Sequence, residues 1–243
     1  MQRLRIRHLT VYQFSGMVTL LPHRLLLRPR EGHDVRIEAS KLDISPAHRI
    51  KWHRDVFDNS VAVASFTETA QRLTIGSEVI IRHYEVAPLD FIVEDYAVHY
   101  PFEYLQEERV DLAPFQQPVY LDQQPVVRDW FNSLNLLRDK VETYVLLDRL
   151  NHIIAKEFRY VIREEPGVQP PEVTLAIRSG SCRDYATLFI ETCRFLGLAS
   201  RFVSGYSHVP ELGPGGATTH AWAEVYLPGP GWKGFDPTAG ELT

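Results

Sequence analysis

Of the two cysteines in the 243 residues, Cys182 and Cys193, only Cys182 has a local sequence that favours reactivity. A run with helical spacing starts at about residue 182, after Gly180, and ends at Gly197. Cys182 is therefore predicted in the first helical turn, where unpaired N–H groups and the positive dipole end lower a thiol pKa from about 8.5 to roughly 3.5–7.5. Cys193 is predicted mid-helix, as an inert core thiol. Free cysteine is often buried, so an unreactive Cys182 is the alternative.

A histidine and an aspartate further along the chain are predicted to face each other across a β-hairpin. His220 and Asp236 are symmetric about Pro228, which lies in the turn-forming segment LPGPG between two strand-like runs. A hairpin centred there makes them direct cross-strand neighbours, with Cβ atoms about 4.5–5.5 Å apart. The carboxylate would then orient the imidazole, leaving its other nitrogen free to take a proton from a nucleophile. Taken singly, a strand histidine and a DPT turn are common structural features.

The order of these three residues is typical of thiol nucleophile sites. A cysteine that opens a helix is followed by a histidine on a strand and by an aspartate on the next strand. Papain-type sites use the same order of Cys, His and Asp or Asn. The order therefore favours a joint site over three unrelated residues.

The segments that hold these residues resemble the core of the bacterial transglutaminase-like superfamily, which includes proteins described as cysteine proteases. The resemblance lies in GSCRDYATLFIETCRFLGLASRFVSGY and THAWAEVYLPGPGWKGFDPT, with EFRY ahead of them. It implies that Cys182 is the nucleophile, His220 the base and Asp236 the orienting residue, with a separate N-terminal domain attached. Related chains continue past DPT with further strand sequence, whereas this one stops at residue 243. We therefore expect the part of the site around Asp236 to be held less firmly.

Four further residues are weaker candidates. Tyr160, Tyr206 and Trp222 are expected to bind substrate as parts of the cleft wall, or to pack in the core because of their aromatic area. Asp184 matches an acid common after the family's cysteine, or favours the helix N-terminus electrostatically. The backbone N–H of Cys182 is expected to be one oxyanion donor. Animal transglutaminases use an upstream tryptophan as the second donor; this chain has none there, and Tyr160 is the candidate instead.

Composition and charge exclude several classes of function. Lys and Arg number 26 and Asp and Glu 31, a net charge of −5 without a basic run, so no nucleic-acid footprint is present. No apolar stretch approaches about 18 residues and no signal-peptide pattern occurs, so no membrane partner is expected. On one helix, the two thiols would lie roughly 16 Å apart, beyond disulfide reach. Free thiols predict a reducing, cytoplasmic location. Without metal-ligand spacing, no metal or cofactor is expected.

The elements around the site predict an α+β fold. Strand-like alternation and recurring turn signals predict an antiparallel β-sandwich domain over residues 1–90. Prolines with aromatics over 91–125 favour an extended connector. Apolar residues at helical spacing predict helices at 126–134 and 143–158. The resemblance implies that residues 126–243 form a papain- or transglutaminase-like core, with the nucleophile helix packed on an antiparallel sheet. The sheet strands are RFVSGY, HAWAEVYL and GWKGFD.

The predicted chemistry is thiol acyl transfer on a peptide or protein substrate. The thiol attacks an amide carbonyl, and water or an amine then resolves the thioester. Water makes a cysteine peptidase or amidase, which we favour because the N-terminal half shows no docking feature for an amine donor. An amine makes a protein-glutamine transglutaminase, and the same triad serves both. The competing class is a non-catalytic domain that binds a peptide or protein on this fold.

Overall fold

The computed structural model describes residues 1–84, 90–137, 139–208 and 217–243. The chain divides into two compact units, Met1–Ala87 and Pro88–Thr243. Within the described ranges, no helix is long and apolar enough to span a membrane.

The first unit is built from antiparallel strands in two three-stranded sheets. The strands are β1 (Gln2–Thr19), β2 (His23–Leu25), β3 (Val35–Ser45), β4 (His48–Arg54), β5 (Ser60–Phe66) and β6 (Thr69–His83). One sheet has the order β1-β6-β3 and the other the order β2-β5-β4. Buried Leu73 and Ile75 of β6 share a small core with Leu25 of β2 and Phe66 of β5. Side chains of both sheets meet there, which confirms the predicted sandwich.

The second unit contains helices, short strand pairs and one larger sheet. The helices are α1 (Gln106–Gln116), α2 (Gln124–Ser133), α3 (Thr143–Glu157), α4 (Pro171–Ile177) and α5 (Cys182–Phe195). The short pairs are β7 (His99–Tyr100) with β8 (Val141–Glu142), and β9 (Arg159–Tyr160) with β10 (Ser179–Gly180). The larger sheet runs β11 (Ser200–His208), β12 (Ala217–Leu227), β13 (Gly231–Asp236) and β14 (Glu241–Leu242), in that order. The three predicted helices correspond to α2, α3 and α5.

Helix α5 is the centre of this unit. It packs on β12, while α2 and α4 pack against it. Its residues 184–193 are all buried, and Leu188 and Phe189 join Val225 of β12 and Phe235 of β13 in one apolar core. A helix enclosed on all sides holds its first turn in a fixed place relative to the sheet. The predicted packing of this helix on an antiparallel sheet is confirmed.

Residues 91–125 are more regular than the extended connector that their prolines predicted. They include α1, which has Pro114 near its C-terminal end, and they belong to the second unit. Tertiary contact explains the helix, because buried Leu112 packs with Tyr104 and Ala199. The Tyr104 hydroxyl also accepts the backbone N–H of Ala199 at 3.0 Å. Packing here overrides the local signal of a proline.

Candidate active site

Cys182 is the first residue of α5, and its partly buried thiol is not in a disulfide. Ser181 precedes it with extended backbone. The Asp184 carboxylate accepts hydrogen bonds from the backbone N–H and the hydroxyl of Ser181, both at 2.8 Å. This reciprocal arrangement of a serine and an acid three residues later defines a helix start. The first-turn position predicted for Cys182 is confirmed.

Asp184 also ties a separate segment to this turn. Its other oxygen accepts the backbone N–H of Gln169 and the Arg163 guanidinium, both at 2.7 Å. Burial raises the pKa of Asp184, but the hydrogen bonds from Gln169, Ser181 and Arg163 outweigh it and lower the pKa below its usual range. The carboxylate is therefore charged and fully used by these contacts. Asp184 positions the turn, which is the structural alternative weighed from sequence.

Arg183, the residue before Asp184, also binds the segment 163–169. Its guanidinium donates to the backbone carbonyls of Arg163 and Glu165. The segment 163–169 is thus bound to α5 through both residues that follow Cys182. Sequence reasoning missed Arg163 and Arg183, because their partners come from a chain segment that returns to the helix start without any periodic pattern.

The hairpin that carries the histidine and the aspartate has a different centre from the one predicted. Strands β12 and β13 pair in a register centred on Gly229 and not on Pro228. Gly229 has φ +102°, a conformation that glycine adopts at low cost. Continuing this register places Asp236 opposite Trp222, so the prediction of direct cross-strand neighbours is wrong. The shift moves the partner by two residues, and His220 and Asp236 remain diagonal neighbours on one face.

The two side chains nevertheless form a short hydrogen bond. Nε2 of His220 lies 2.6 Å from Oδ2 of Asp236, and the side chains are only 14% and 11% exposed. The other oxygen of Asp236 accepts the backbone N–H of Thr238 at 2.9 Å. Its backbone pairs with Glu241 of β14. The expected looseness on this side is not observed, because β14 pairs with β13 at this position.

The His220 ring and the Cys182 thiol shift the pKa of each other. Burial raises the pKa of Cys182, but interactions with the His220 ring and with the backbone N–H groups of Ala221 and Arg183 outweigh it and lower the pKa. The hydrogen bond to Asp236, followed by that to Cys182, raises the pKa of His220 to about 9. These shifts favour a thiolate beside an imidazolium at neutral pH.

The other cysteine behaves in the opposite way. Cys193 is fully buried in α5, and burial strongly raises the pKa of its thiol. It is a core residue, as predicted.

The three weaker aromatic candidates occupy different places. Tyr160 pairs in parallel with Gly180, two residues before Cys182, and its pKa is raised first by burial and then by the charges of Cys182 and Asp236. Trp222 is on the same face as His220, with ring centroids 6.3 Å apart and an interplanar angle of 30°. Tyr206 of β11 pairs with Thr219 of β12, the residue next to His220, so the Tyr206 side chain lies on the opposite face of the sheet from His220.

Two further features suggested by the sequence concern metal binding and the loop before His220. Among the described residues, no group of three or more His, Cys, Asp or Glu side chains is arranged to hold a metal ion. The segment ELGPGGATT before His220, whose sequence predicts either a mobile loop over the site or a surface loop, lies largely outside the described residues.

Comparison with known proteins matches both parts of the chain. Residues 4–82 match the family described as bacterial transglutaminase-like N-terminal region, and residues 136–237 match the transglutaminase-like superfamily. The second range includes Cys182, His220 and Asp236. Proteins of Mycobacterium tuberculosis and Mycobacterium bovis, both described as uncharacterized, are 29% identical over 99% of this chain and 80% of their own length.

A solved structure shares the fold. It is named "a Putative Cysteine Protease" from Cytophaga hutchinsonii and superposes with a TM-score of 0.73 at 20% identity, covering 97% of this chain and 76% of that chain. At this identity the likeness concerns architecture. The predicted fold class, a β-rich N-terminal part followed by a mixed core of this type, is confirmed.

Proposed function

The chain belongs to the transglutaminase-like superfamily, and on that premise we propose that it is a thiol enzyme that hydrolyses peptide or amide bonds through Cys182, His220 and Asp236. The observation that carries the proposal is the 2.6 Å hydrogen bond between His220 and Asp236, together with the position of Cys182 at the start of α5, where the His220 ring helps to lower the pKa of the thiol. A thiolate next to an imidazolium is the activated form of a cysteine nucleophile. A domain that only binds peptides has no need of a base beside a thiol.

In the first half of the reaction, the Cys182 thiolate attacks the carbonyl carbon of an amide. A C–S bond forms and the carbonyl electron pair moves to oxygen. The backbone N–H of Cys182, which has no partner within the first helical turn, is placed to stabilise this oxyanion. The Tyr160 hydroxyl is the candidate for the second donor. When the intermediate collapses, the C–N bond breaks, the amine leaves with a proton from the His220 imidazolium, and a thioester remains.

In the second half, water resolves the thioester. The neutral His220 accepts a proton from water as the oxygen attacks the thioester carbon. Collapse breaks the C–S bond, releases a carboxylic acid and returns the thiolate–imidazolium pair. Asp236 keeps the imidazole in one orientation through both halves. A primary amine in place of water would give a new amide, which is the transglutaminase alternative.

Selective alkylation tests the activated thiol directly. Iodoacetamide labelling is followed from pH 4 to 10 by peptide mass spectrometry, with Cys193 as the internal control because it is fully buried. We expect Cys182 to label rapidly below about pH 7, and to slow in His220→Ala. Labelling of Cys182 no faster than that of Cys193 in unfolded protein, or labelling indifferent to the histidine change, contradicts the proposal.

A second assay separates hydrolysis from transfer. Casein is incubated with the protein, with and without monodansylcadaverine, and new peptide termini, released ammonia and incorporated dansyl groups are measured. Hydrolysis predicts new termini or ammonia that disappear in Cys182→Ala. Dansyl incorporation that depends on Cys182 would make the protein a transglutaminase instead. The cytoplasmic location inferred from cysteine usage remains a prediction, consistent with a reduced Cys182.

A further inference from the structure

The His220 ring has a further neighbour, Trp222, which the acyl-transfer mechanism does not use. His220 and Trp222 alternate on β12, so both side chains lie on the same face of the sheet. The indole is nearly parallel to the imidazole, at an interplanar angle of 30°, and their centroids are 6.3 Å apart. This separation lies within the range of interacting ring pairs. The indole is therefore a neighbour of the imidazole in addition to Asp236 and Cys182.

The indole occupies space that exists because the neighbouring strand has a glycine. Gly205 of β11 is the direct cross-strand partner of His220. A Cβ built on Gly205 would lie 2.5 Å from Cη2 and 2.9 Å from Cζ3 of Trp222. Real Cβ atoms do not approach this closely, and a rigid indole has no flexible end that can move away. The missing side chain at position 205 thus allows the ring to lie beside the histidine.

From these contacts, and resting on the function proposed above, we propose that Trp222 is a positioning residue that holds the His220 imidazole toward Cys182, and that Gly205 is required because it leaves room for the indole. Asp236 approaches the imidazole from β13, while the indole fills the position beside it toward β11. Confinement from both sides restricts rotation of the ring and excludes water from its bonds, which strengthens them. In this proposal Trp222 supports the triad by positioning His220 and does not bind the substrate.

The direction of the His220 pKa change distinguishes positioning from simple burial. The titratable groups that shift the pKa of this ring are Asp236 of β13 and Cys182 of α5. Burial, followed by the charges of Cys182 and Asp236, raises the pKa of Tyr160 of β9. If the indole only buried the ring, its removal would raise the pKa, because water favours the imidazolium. If it holds the ring in place, its removal weakens the bonds to Asp236 and Cys182, and the pKa falls from about 9.

The test is an NMR titration of the His220 ring in the full chain. We expect Trp222→Leu and Gly205→Ala each to lower the pKa of His220 by about one pH unit and to slow iodoacetamide labelling of Cys182 at pH 7 about tenfold. Trp222→Phe, which keeps an aromatic ring, should stay within about threefold of the parent rate. Gly16→Ala is the matched control, because a Cβ there meets nothing within 4 Å.

The double variant Gly205→Ala/Trp222→Leu shows whether the two residues act together. If Gly205 matters only through the indole, adding Gly205→Ala to Trp222→Leu has no further effect on the pKa or the rate. Additive effects overturn the role of Gly205, and an unchanged or raised pKa of His220 in Trp222→Leu overturns the role of Trp222. A raised KM with unchanged kcat would assign Trp222 to the substrate.

Because the NMR titration of the His220 ring needs no turnover, it tests the positioning role of Trp222 independently of the proposed reaction. An inactive parent protein would contradict the proposed function, while the titration still decides the role of Trp222. Variants that fail to fold are recognised by labelling of the otherwise buried Cys193.

Discussion

Replacement of Asp236 by asparagine tests the electrostatic basis of the site. The pKa of His220 is raised from 6.5 to about 9, and the hydrogen bond to Asp236 is the largest cause, ahead of that to Cys182. At about 1.4 kcal/mol per pKa unit, this rise corresponds to roughly 3 kcal/mol in favour of the imidazolium. If Asp236 provides about half or more, Asp236→Asn should lower the His220 pKa by about 1 to 2 pH units and slow thiolate-dependent labelling at pH 7 about 10- to 100-fold.

The pH dependence of stability follows from the difference between the ordinary His220 pKa of 6.5 and its value of about 9 in the folded protein. The His220 pKa is raised in the folded protein, so the contribution of its charge to stability is complete below about 6.5 and is lost as pH rises through about 9. In Asp236→Asn, the pH at which this contribution is lost moves from about 9 toward 6.5. The pKa of Cys182 rises as its charged partner weakens, and fast labelling begins at higher pH.

The assay is the rate of Cys182 alkylation across pH 4 to 10, combined with titration of the His220 ring. Asp129→Asn is the matched control, because its carboxylate is 70% exposed and pairs with its neighbour Arg128. It should leave both profiles unchanged. If Asp236→Asn leaves the His220 titration and the labelling profile where they are in the parent protein, the electrostatic reasoning is refuted.

Three further changes have expected outcomes. Asp184→Asn removes a fully buried charge that holds the first turn, so the free energy of unfolding in urea should fall by about 2–4 kcal/mol, and an unchanged midpoint would contradict this. Tyr160→Phe should lower kcat about 100-fold without altering the pH profile of Cys182 labelling, since only an oxyanion donor is lost; equal kcat would exclude the hydroxyl. Phe189→Ala should destabilise the fold by about 3–5 kcal/mol in the same urea assay, because the ring is fully buried and stacked on Phe235 at 5.5 Å; a loss below about 1 kcal/mol would mean the core rearranges.

The nucleophile helix could be predicted from sequence because its limits are set locally. Gly180 ends the preceding strand, Ser181 and Asp184 form reciprocal bonds at the start, and Gly197 has φ +77° just past the end. Each signal acts within a few residues of the boundary that it defines. The position of Cys182 in the first turn follows from these signals without any tertiary information.

The hairpin register could be predicted only in part. The segment LPGPG contains two prolines and two glycines, so it supports loops of more than one length. The structure closes the turn around Gly229, which like Gly231 has a positive φ, instead of around Pro228. The error changed the partner of His220 by two residues. Because strand side chains alternate with a period of two, the face of Asp236, and so the expected contact, was unaffected.

The support around the site could not be predicted, because its contacts join distant segments. Arg163 meets Asp184 across 21 positions of sequence, and the indole of Trp222 lies against Gly205 on another strand. Neither pair has a periodic or turn signature. A glycine in a strand indicates that something approaches the backbone closely, but only the folded sheet identifies Trp222 as the group that does so.

The two thiols of α5 show how much of the chemistry belongs to the surroundings. Cys182 and Cys193 lie on the same helix, and burial acts on both to raise the thiol pKa. At Cys193 burial prevails. At Cys182 the His220 ring and two backbone N–H groups oppose burial and prevail over it. Since the residue type and the helix are the same, the opposite outcomes arise from the helix terminus and from the strand that presents the histidine. Reactivity at Cys182 should therefore fall on changes at His220, Asp236 or Trp222 that leave the cysteine and its helix intact.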